Sequence, residues 1–378
     1  TSSTPTTQSL VIDTTAPNTP AIASVTDGIG SITGAVASGG VTDDTDLTVR
    51  VSLSGTQAVA GDSVRLYDGA SALGTAVTLS ASDISNGFVD VQTGALSDAA
   101  YALSAKITDL AGNTSSAATA HNVTVDTSVP AAPAIASSAL TNNATPTLSG
   151  TALAGSTVTV TVGGATYTTT ATGGNWSINL ASATPASGTL SLNANGSNPV
   201  SVTATNTAGT SSTPTTQSLV IDTTAPNVSI SAGTIVPAGN ATVTSTETGT
   251  VYLVNSSLTV STLSDITSAA GNLWNSVSVT ANTPAALAAS GLNLGTYYAY
   301  AVDAAGNLSL VSTNSVVVEA GPTSVAYSAD TGSSPTDFIT QTAAQTISGT
   351  LSENVQAGDV VEISLDNGST WTAASTTV

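Results

Sequence analysis

Oxygen ligands are nearly all that this chain offers for chemistry. Its 378 residues include 23 Asp and Glu but only 3 basic side chains, one His, and no Cys or Met. Carboxylates gathered without basic partners repel one another unless a cation joins them. The hard cation that suits such a set is Ca2+, which takes about six to eight oxygens from carboxylates, amides and backbone carbonyls. Residue type excludes other chemistries. Without Cys there is no thiolate metal centre, Cys nucleophile or disulfide framework, and His121 alone cannot build an imidazole centre. Arg50, Arg65 and Lys106, against a formal charge of −20, leave no basic stripe for nucleic acid or an anionic bilayer. No Gly-x-Ser-x-Gly elbow, His-Glu-x-x-His or Gly-x-x-x-x-Gly-Lys loop occurs, so no enzyme is expected. Carboxylate pairs for glycoside hydrolysis pass by type, but a repeated site of that kind would be missing from the uncharged stretch described next.

The acids are unevenly placed: twelve lie in 1–126, none in 127–221 and eleven in 222–378, and the middle stretch has no Lys or Arg either. Elsewhere they recur at motif positions. Asp13, Asp126 and Asp222 open Asp-Thr-Thr-Ala-Pro or Asp-Thr-Ser-Val-Pro, and Glu319 holds that place in Glu-Ala-Gly-Pro. Asp109 and Asp303 open the loops Asp-Leu-Ala-Gly-Asn and Asp-Ala-Ala-Gly-Asn, where Asn206 heads Asn-Thr-Ala-Gly-Thr. Asp27, Asp43, Asp44 and Asp46 form the densest group. The candidate cation ligands are therefore Asp13, Asp27, Asp43, Asp44, Asp109, Asp126, Asp222, Asp303 and Glu319. The expected grouping joins a linker acid to the loop acid before it and to an acid of the next repeat. That places Asp126 with Asp109, Glu319 with Asp303, and Asp13 with the Asp27–Asp46 group. The linker at Asp222, with Asn206 before it and Glu247 after it, is then expected to hold a cation most weakly. A metal-free alternative stands beside this one. Asp-x-x-Gly is a preferred type I turn, and Asp43-Asp44 suits a solvated turn before a strand at 47–53. The spacing is not that of an EF-hand.

These residues sit on a repeat. TSSTPTTQSLVIDTTAPN at 1–18 recurs unchanged at 210–227, and the linker acids are spaced by 113, 96 and 97 residues. The loop motif precedes its following linker acid by 17, 16 and 16 residues, so two motifs keep one phase. Each repeat reads as all-β. VSVTATN, HNVTVD, QSLVID and NSVVVE alternate small or apolar residues with polar ones, and Gly163-Gly164 suits a tight hairpin turn. ANTPAALAAS at 281–290 is the best helical candidate, for one short turn. Repeats of this length with short strands predict immunoglobulin-like two-sheet sandwiches in an extended rod. The expected divisions are a tail of a preceding repeat at 1–14, domains at 15–126, 127–222 and 223–319, and a partial domain at 320–378. Trp176, Trp274 and Trp371, with Phe88 in the first repeat, are expected as one buried ring per domain, with an exposed sugar-binding platform as the alternative. His121 is expected at a strand surface or edge. Residues 1–10 lack the pattern of a signal peptide, no apolar run reaches the ~18 residues of a membrane span, and both ends read as cut from a longer chain.

The linker VIDTTAPNTPAI, the loop ITDLAGN, the run SVTDGIGSITGAVASGGVTDDTD, and TPTLSGTALAGSTVTV and GGNWSI resemble the bacterial Ig-like repeats of giant type I-secreted (RTX) adhesins. The final segment, ADTGSSPTDFITQTAAQTISGTL onwards, resembles another repeat of that class. The resemblance implies stalk modules that carry Ca2+ at domain junctions, with Asp13, Asp109, Asp126, Asp222 and Asp303 among the ligands. It implies a secreted or cell-surface protein of a Gram-negative bacterium, serving attachment or biofilm formation, with neighbouring repeats as its main partners. The Gly-Gly-x-Gly-x-Asp repeats of the secretion end are missing, which implies an interior piece. Two alternatives remain at this stage: a self-assembling extracellular filament or surface layer, and a glycan- or protein-binding Ig-like module.

Overall fold

The computed structural model describes residues 9–331, 334, 339–352, 360–366 and 368–375. The first eight residues of the expected repeat tail and parts of the expected partial domain lie outside them. Among the described residues, thirty strands accompany two short helices, Ala81–Asn86 and Leu263–Thr267. Among the described residues no helix is long and apolar enough to cross a membrane. The chain divides into two compact units, one running to Ala139 and including 145–193 and 197–219, the other comprising 140–144, 194–196 and everything from Val220.

In the first unit, Gly34–Ala35, Ala21–Asp27, Thr48–Ser52 and Phe88–Gln92 make a four-stranded sheet. Gly40–Thr42, His121–Val125, Ala99–Thr108, Ser63–Asp68 and Ser71–Thr78 make a five-stranded one. Alternation along each strand sends Val49, Val51, Val64, Leu66, Leu103 and Ile107 into the single core between them. The same unit holds most of the uncharged stretch, where Thr157–Val162 pairs with Ala165–Thr170 through the Gly163-Gly164 turn, at φ 54° and 80°. Val158, Val160 and Val162 are buried there. On the other face Thr157, Thr159 and Thr161 stand opposite Thr170, Thr168 and Thr166. Cross-strand threonine pairs thus give this sheet face the polarity that charge supplies elsewhere.

The second unit repeats the plan. Val228–Ile230, Asn240–Ser245 and Ala285–Ala288 form one sheet. Gly233–Ile235, Ser315–Val318, Gly295–Asp303, Gly249–Asn255 and Trp274–Val279 form the other. Val243, Val251, Leu253, Tyr297 and Val316 fill its core. Two further strand pairs, Pro322–Tyr327 with Ile347–Leu351 and Glu362–Ile363 with Thr372–Ala373, follow. The helical turn expected within 281–290 is instead the strand Ala285–Ala288, because Leu287 and Ala289 point inward with period two and both are fully buried.

The aromatic expectation holds for one ring. Trp176 is 3% exposed and its Nε1 donates to the Ala134 carbonyl at 3.2 Å. A Cβ on the neighbouring Gly150 would lie 1.8 Å from that carbonyl oxygen, so only glycine fits. Trp274 is half-buried against Tyr252, Phe88 is half-buried with Arg50 stacked on its ring, and Trp371 is 59% exposed. The ring pins of the other sandwiches are tyrosines that the sequence reading passed over, Tyr297 fully buried and Tyr101 half-buried. Tyr101 donates its hydroxyl to the Ser97 carbonyl at 2.9 Å, and Tyr297 donates to that of Asn293 at 2.8 Å. This is the corner tyrosine of Ig sandwiches. Asn198 replaces it in the uncharged stretch, donating to the Asn193 carbonyl at 3.0 Å. His121 opens an edge-side strand, half-buried, with Nε2 3.0 Å from the Val36 carbonyl.

Candidate cation sites at the sandwich poles

Three linker acids, Asp13, Asp126 and Asp222, are fixed by the same turn. The Oδ1 of Asp13 accepts the Thr15 N–H at 2.9 Å, and that of Asp222 accepts the Thr224 N–H at 3.1 Å. Asp126 accepts both the N–H and the hydroxyl of Ser128, which hold its carboxyl below the usual carboxylate range. The loop motif is equally regular. Oδ1 of Asp109 accepts the N–H groups of Ala111 and Asn113 at 2.9 and 2.8 Å. Asp303 does the same for Gly306 and Asn307, and Asn206 for Ala208 and Thr210. A serine closes each loop: the hydroxyls of Ser115, Ser212 and Ser309 accept the N–H of Ile107, Ala204 and Ala301. Since an amide oxygen folds the loop as well as a carboxylate does, the turn alone does not call for the charge of Asp109 and Asp303.

The loop amides then show which linker each loop serves. Asn113 Nδ2 donates to the Asp13 carbonyl at 3.2 Å, and Asn307 Nδ2 donates to the Asp222 carbonyl at 2.8 Å. Asn206 donates its own Nδ2 to the Ser128 carbonyl at 3.1 Å. Each loop therefore lies at the N-terminal pole of its sandwich, beside the linker that enters it. The expected grouping of Asp109 with Asp126, and of Asp303 with Glu319, is corrected. Those linker acids lie at the opposite pole, where the Asp126 N–H donates to Thr42 and the Glu319 N–H to Ile235.

The dense acidic group is corrected in the same way. It faces the loop at 206–210, not Asp13: the Asp43 N–H donates to the Ala208 carbonyl and the Ser31 hydroxyl to that of Gly209. Asp27 is 5% exposed and accepts the Thr42 hydroxyl at 2.6 Å, while Asp44, 7% exposed, accepts the Gly28 N–H at 2.8 Å. Asp46 turns away to the Gly94 N–H. Burial pushes the Asp43 carboxyl above its ordinary value, and Asp27 and Asp44 add to the push. Its Oδ1 and the Thr210 hydroxyl are buried with no hydrogen-bond partner.

The tightest cluster is where sequence spacing expected the weakest. Carboxylate oxygens of Asp222, Glu247 and Asp303 lie within 4.8 Å of one another, the only such group of three among the described residues. Asp222 comes from the linker and Asp303, 8% exposed, from the loop. Glu247 comes from the turn between Asn240–Ser245 and Gly249–Asn255. Burial raises the Glu247 carboxyl above its ordinary range, with Asp222 and Asp303 adding by repulsion. No protein cation relieves this. Arg50 pairs with Asp90 at 2.7 Å, Arg65 donates to the Gly74 carbonyl, and Lys106 lies over the Tyr67 ring. Three carboxylates with no basic neighbour and no donor on Glu247 suit a divalent cation with an oxygen shell. Ca2+ fits these residues on their donor chemistry.

The bacterial Ig-like domain family matches residues 18–127 and 134–223. Similar solved structures include a Ca2+-stabilised adhesin that helps an Antarctic bacterium reach out and bind ice. It is 24% identical over 83% of this chain and 77% of that one, with a TM-score of 0.34. A 1.5-MDa bacterial ice-binding adhesin is 25% identical over 72% of this chain and 91% of that one, with a TM-score of 0.27. Fibronectin(III)-like modules of Clostridium thermocellum CbhA are 16% identical over 50% and 90%, with a TM-score of 0.32. No curated protein matches the sequence. With the family's pattern on more than half of its residues, the chain belongs to the bacterial Ig-like domain family.

Proposed function

We propose that this chain is a run of structural stalk modules of a secreted or cell-surface bacterial adhesin, braced by calcium where linkers enter the sandwiches. The observation that carries the proposal is the convergence of Asp222, Glu247 and Asp303 without a basic partner. One carboxylate comes from the linker and two from the sandwich, so an ion held by all three ties the linker to the fold. Bound calcium supplies the positive charge that the site lacks. Asp222 orients its carboxylate through the Thr224 amide, and Asp303 does so through the Gly306 and Asn307 amides. A linker so pinned loses the freedom that small inter-domain interfaces leave. The motif resemblance extends the proposal to a type I-secreted RTX adhesin of a Gram-negative bacterium, with a role in attachment or biofilm formation. Neighbouring repeats are the partners.

Calorimetric unfolding of the chain in calcium and in chelator tests this. An ion at about 100 times its dissociation constant adds about 2.7 kcal/mol to the state that binds it, so part of the transition should move up in calcium and return on chelation. Identical traces would sink the calcium brace. Sedimentation at rising concentration separates a monomeric stalk from the rival, a self-assembling filament.

A further inference from the structure

The outward face of the five-stranded sheet in the third sandwich is aromatic. Strand alternation sends Val251, Leu253, Tyr297 and Ala299 into the core, so Tyr252, Val254, Tyr298 and Tyr300 point the other way. Trp274 joins them, because it stands opposite Val254. Four of the chain's 13 aromatic residues thus share one sheet face. All four rings are half-buried, and those of Tyr252 and Trp274 meet with 5.8 Å between centroids. The outer face of an antiparallel sheet is ordinarily its polar one.

The other two sandwiches show that the fold does not ask for these rings. Tyr252 stands opposite Tyr300, three residues before the Asp303 loop. Three residues before the Asp109 and Asn206 loops the equivalent pairs are Arg65 with Lys106 and Thr159 with Thr203. One backbone position is therefore basic, hydroxyl-bearing or aromatic in turn. Part of the aromatic face serves the sandwich itself. Trp274 Nε1 donates to the Ala269 carbonyl at 3.4 Å, and Ile266 of the helix Leu263–Thr267 is fully buried without belonging to the core between the sheets. That excursion fixes Trp274. It does not use the hydroxyls of Tyr252, Tyr298 and Tyr300, which have no hydrogen-bond partner among the described residues, whereas that of Tyr297 is tied to Asn293. Burial pushes the Tyr300 hydroxyl above its ordinary value, which keeps it a neutral donor.

Ring faces bordered by free hydroxyls match what a sugar presents, apolar C–H faces for the rings and hydroxyls for the phenols. Charge narrows the class. The outward positions of Gly249–Asn255, Trp274–Val279, Gly295–Asp303 and Ser315–Val318 carry no charged residue, and all three basic side chains lie in the first repeat. Nothing on this face offsets an acidic sugar, which the net charge of −20 repels, and the same charge repels a second copy of the chain. An open sheet face suits flat, equatorially linked sugar rings. We propose that this face of the third sandwich binds a neutral, equatorially linked glycan, with Tyr252 and Tyr300 as its stacking platform. The proposal adds a ligand to the stalk and does not rest on the calcium brace.

The test titrates the whole chain, in chelator, with cellohexaose and with chitohexaose, read by calorimetry and by tryptophan fluorescence. A galacturonic acid hexamer is the acidic control. At least one neutral hexamer should bind and shift the tryptophan emission, and the acidic one should not. Tyr252→Thr with Tyr300→Thr copies the threonine pair of the uncharged stretch and should weaken binding about tenfold or more, the scale of a lost aromatic anchor. Tyr252→Thr alone guards against a folding defect in the double variant. Binding of neither neutral hexamer would overturn the proposal, as would equal binding of the acidic one. So would binding that survives both variants with their folds intact. Association that grows with concentration and is abolished by the double variant would also overturn it, since the face would then dock a second copy. Because calcium is absent throughout, each of these failures leaves the brace standing.

Discussion

The loops headed by Asn206 and Asp303 are one structure with two electrostatic states. Each oxygen caps two loop amides, one of them four residues on, each loop is closed by a serine, and each is tied by an amide nitrogen to its linker's backbone. Around Asp303 the neighbours are Asp222 and Glu247; the Asn206 side chain has a hydrogen-bonded Ser128, and Asp43 meets its loop further on, at Ala208. The backbone therefore does not need the charge, and the charge must answer to something outside the backbone. The Asn206 side chain is satisfied by its own hydrogen bonds. The Asp303 group is left with mutual repulsion that only protons or a cation can relieve.

The largest expected effect concerns the uncharged stretch, which has no ion to add stability. Trp176→Ala removes a 3%-exposed ring and should cost about 3–5 kcal/mol, read as the loss of one transition on thermal unfolding. A trace unchanged from the parent's would mean that the hydrogen-bonded pole does not depend on this core. Second in size is Asp303→Asn, which converts the third loop into the second. It should keep the fold, with circular dichroism unaltered, and lose the calcium-induced rise of about 2.7 kcal/mol at saturating ion. A misfolded variant would show that the two loops are not equivalent.

The effect of pH should distinguish the poles further. Glu247 has a raised folded value, so between its ordinary and raised values the folded state holds more protons than the unfolded one. Stability in chelator is then greatest below the ordinary value and declines as pH rises through the raised one. Glu247→Gln should flatten that decline and raise the neutral-pH melting temperature in chelator, while abolishing the response to calcium. Asp126 has the opposite sign: its lowered value gives stability present above the ordinary carboxylate range and lost as pH falls through the lowered one. Smallest is Arg50→Ala. Its ion pair with Asp90 is 45% and 40% exposed, so the loss should be the smallest of these and fade with salt.

Much of this was legible in the chain. Alternating threonine and valine at 157–162, the Gly163-Gly164 turn and the phased acidic motifs point to tandem sandwiches, and the strands follow them. The pairing of acids was not legible, for a geometric reason. Asp109 and Asp126 are close in sequence, but the strand His121–Val125 carries the chain from one pole to the other between them. Five residues at about 3.3 Å each put the two acids at opposite ends. Asp13, 96 residues away, is the true neighbour of that loop. Glu247 sits in a turn with no motif; its place beside Asp222 was legible, but the joining of Asp303 to the pair was not.

The most direct test of the contrast between the poles is amide hydrogen exchange on the whole chain, in calcium and then in chelator. It should be read at 223–224 and 306–307 for the charged pole and at 128 for the neutral one, because Asp43 lies against 208–210. The account predicts that calcium slows exchange at the first set by an order of magnitude or more, on the order of the 1.4 kcal/mol that a factor of ten represents, and leaves the second unchanged. Equal slowing at both sets, or slowing confined to the Asn206 loop, would contradict it.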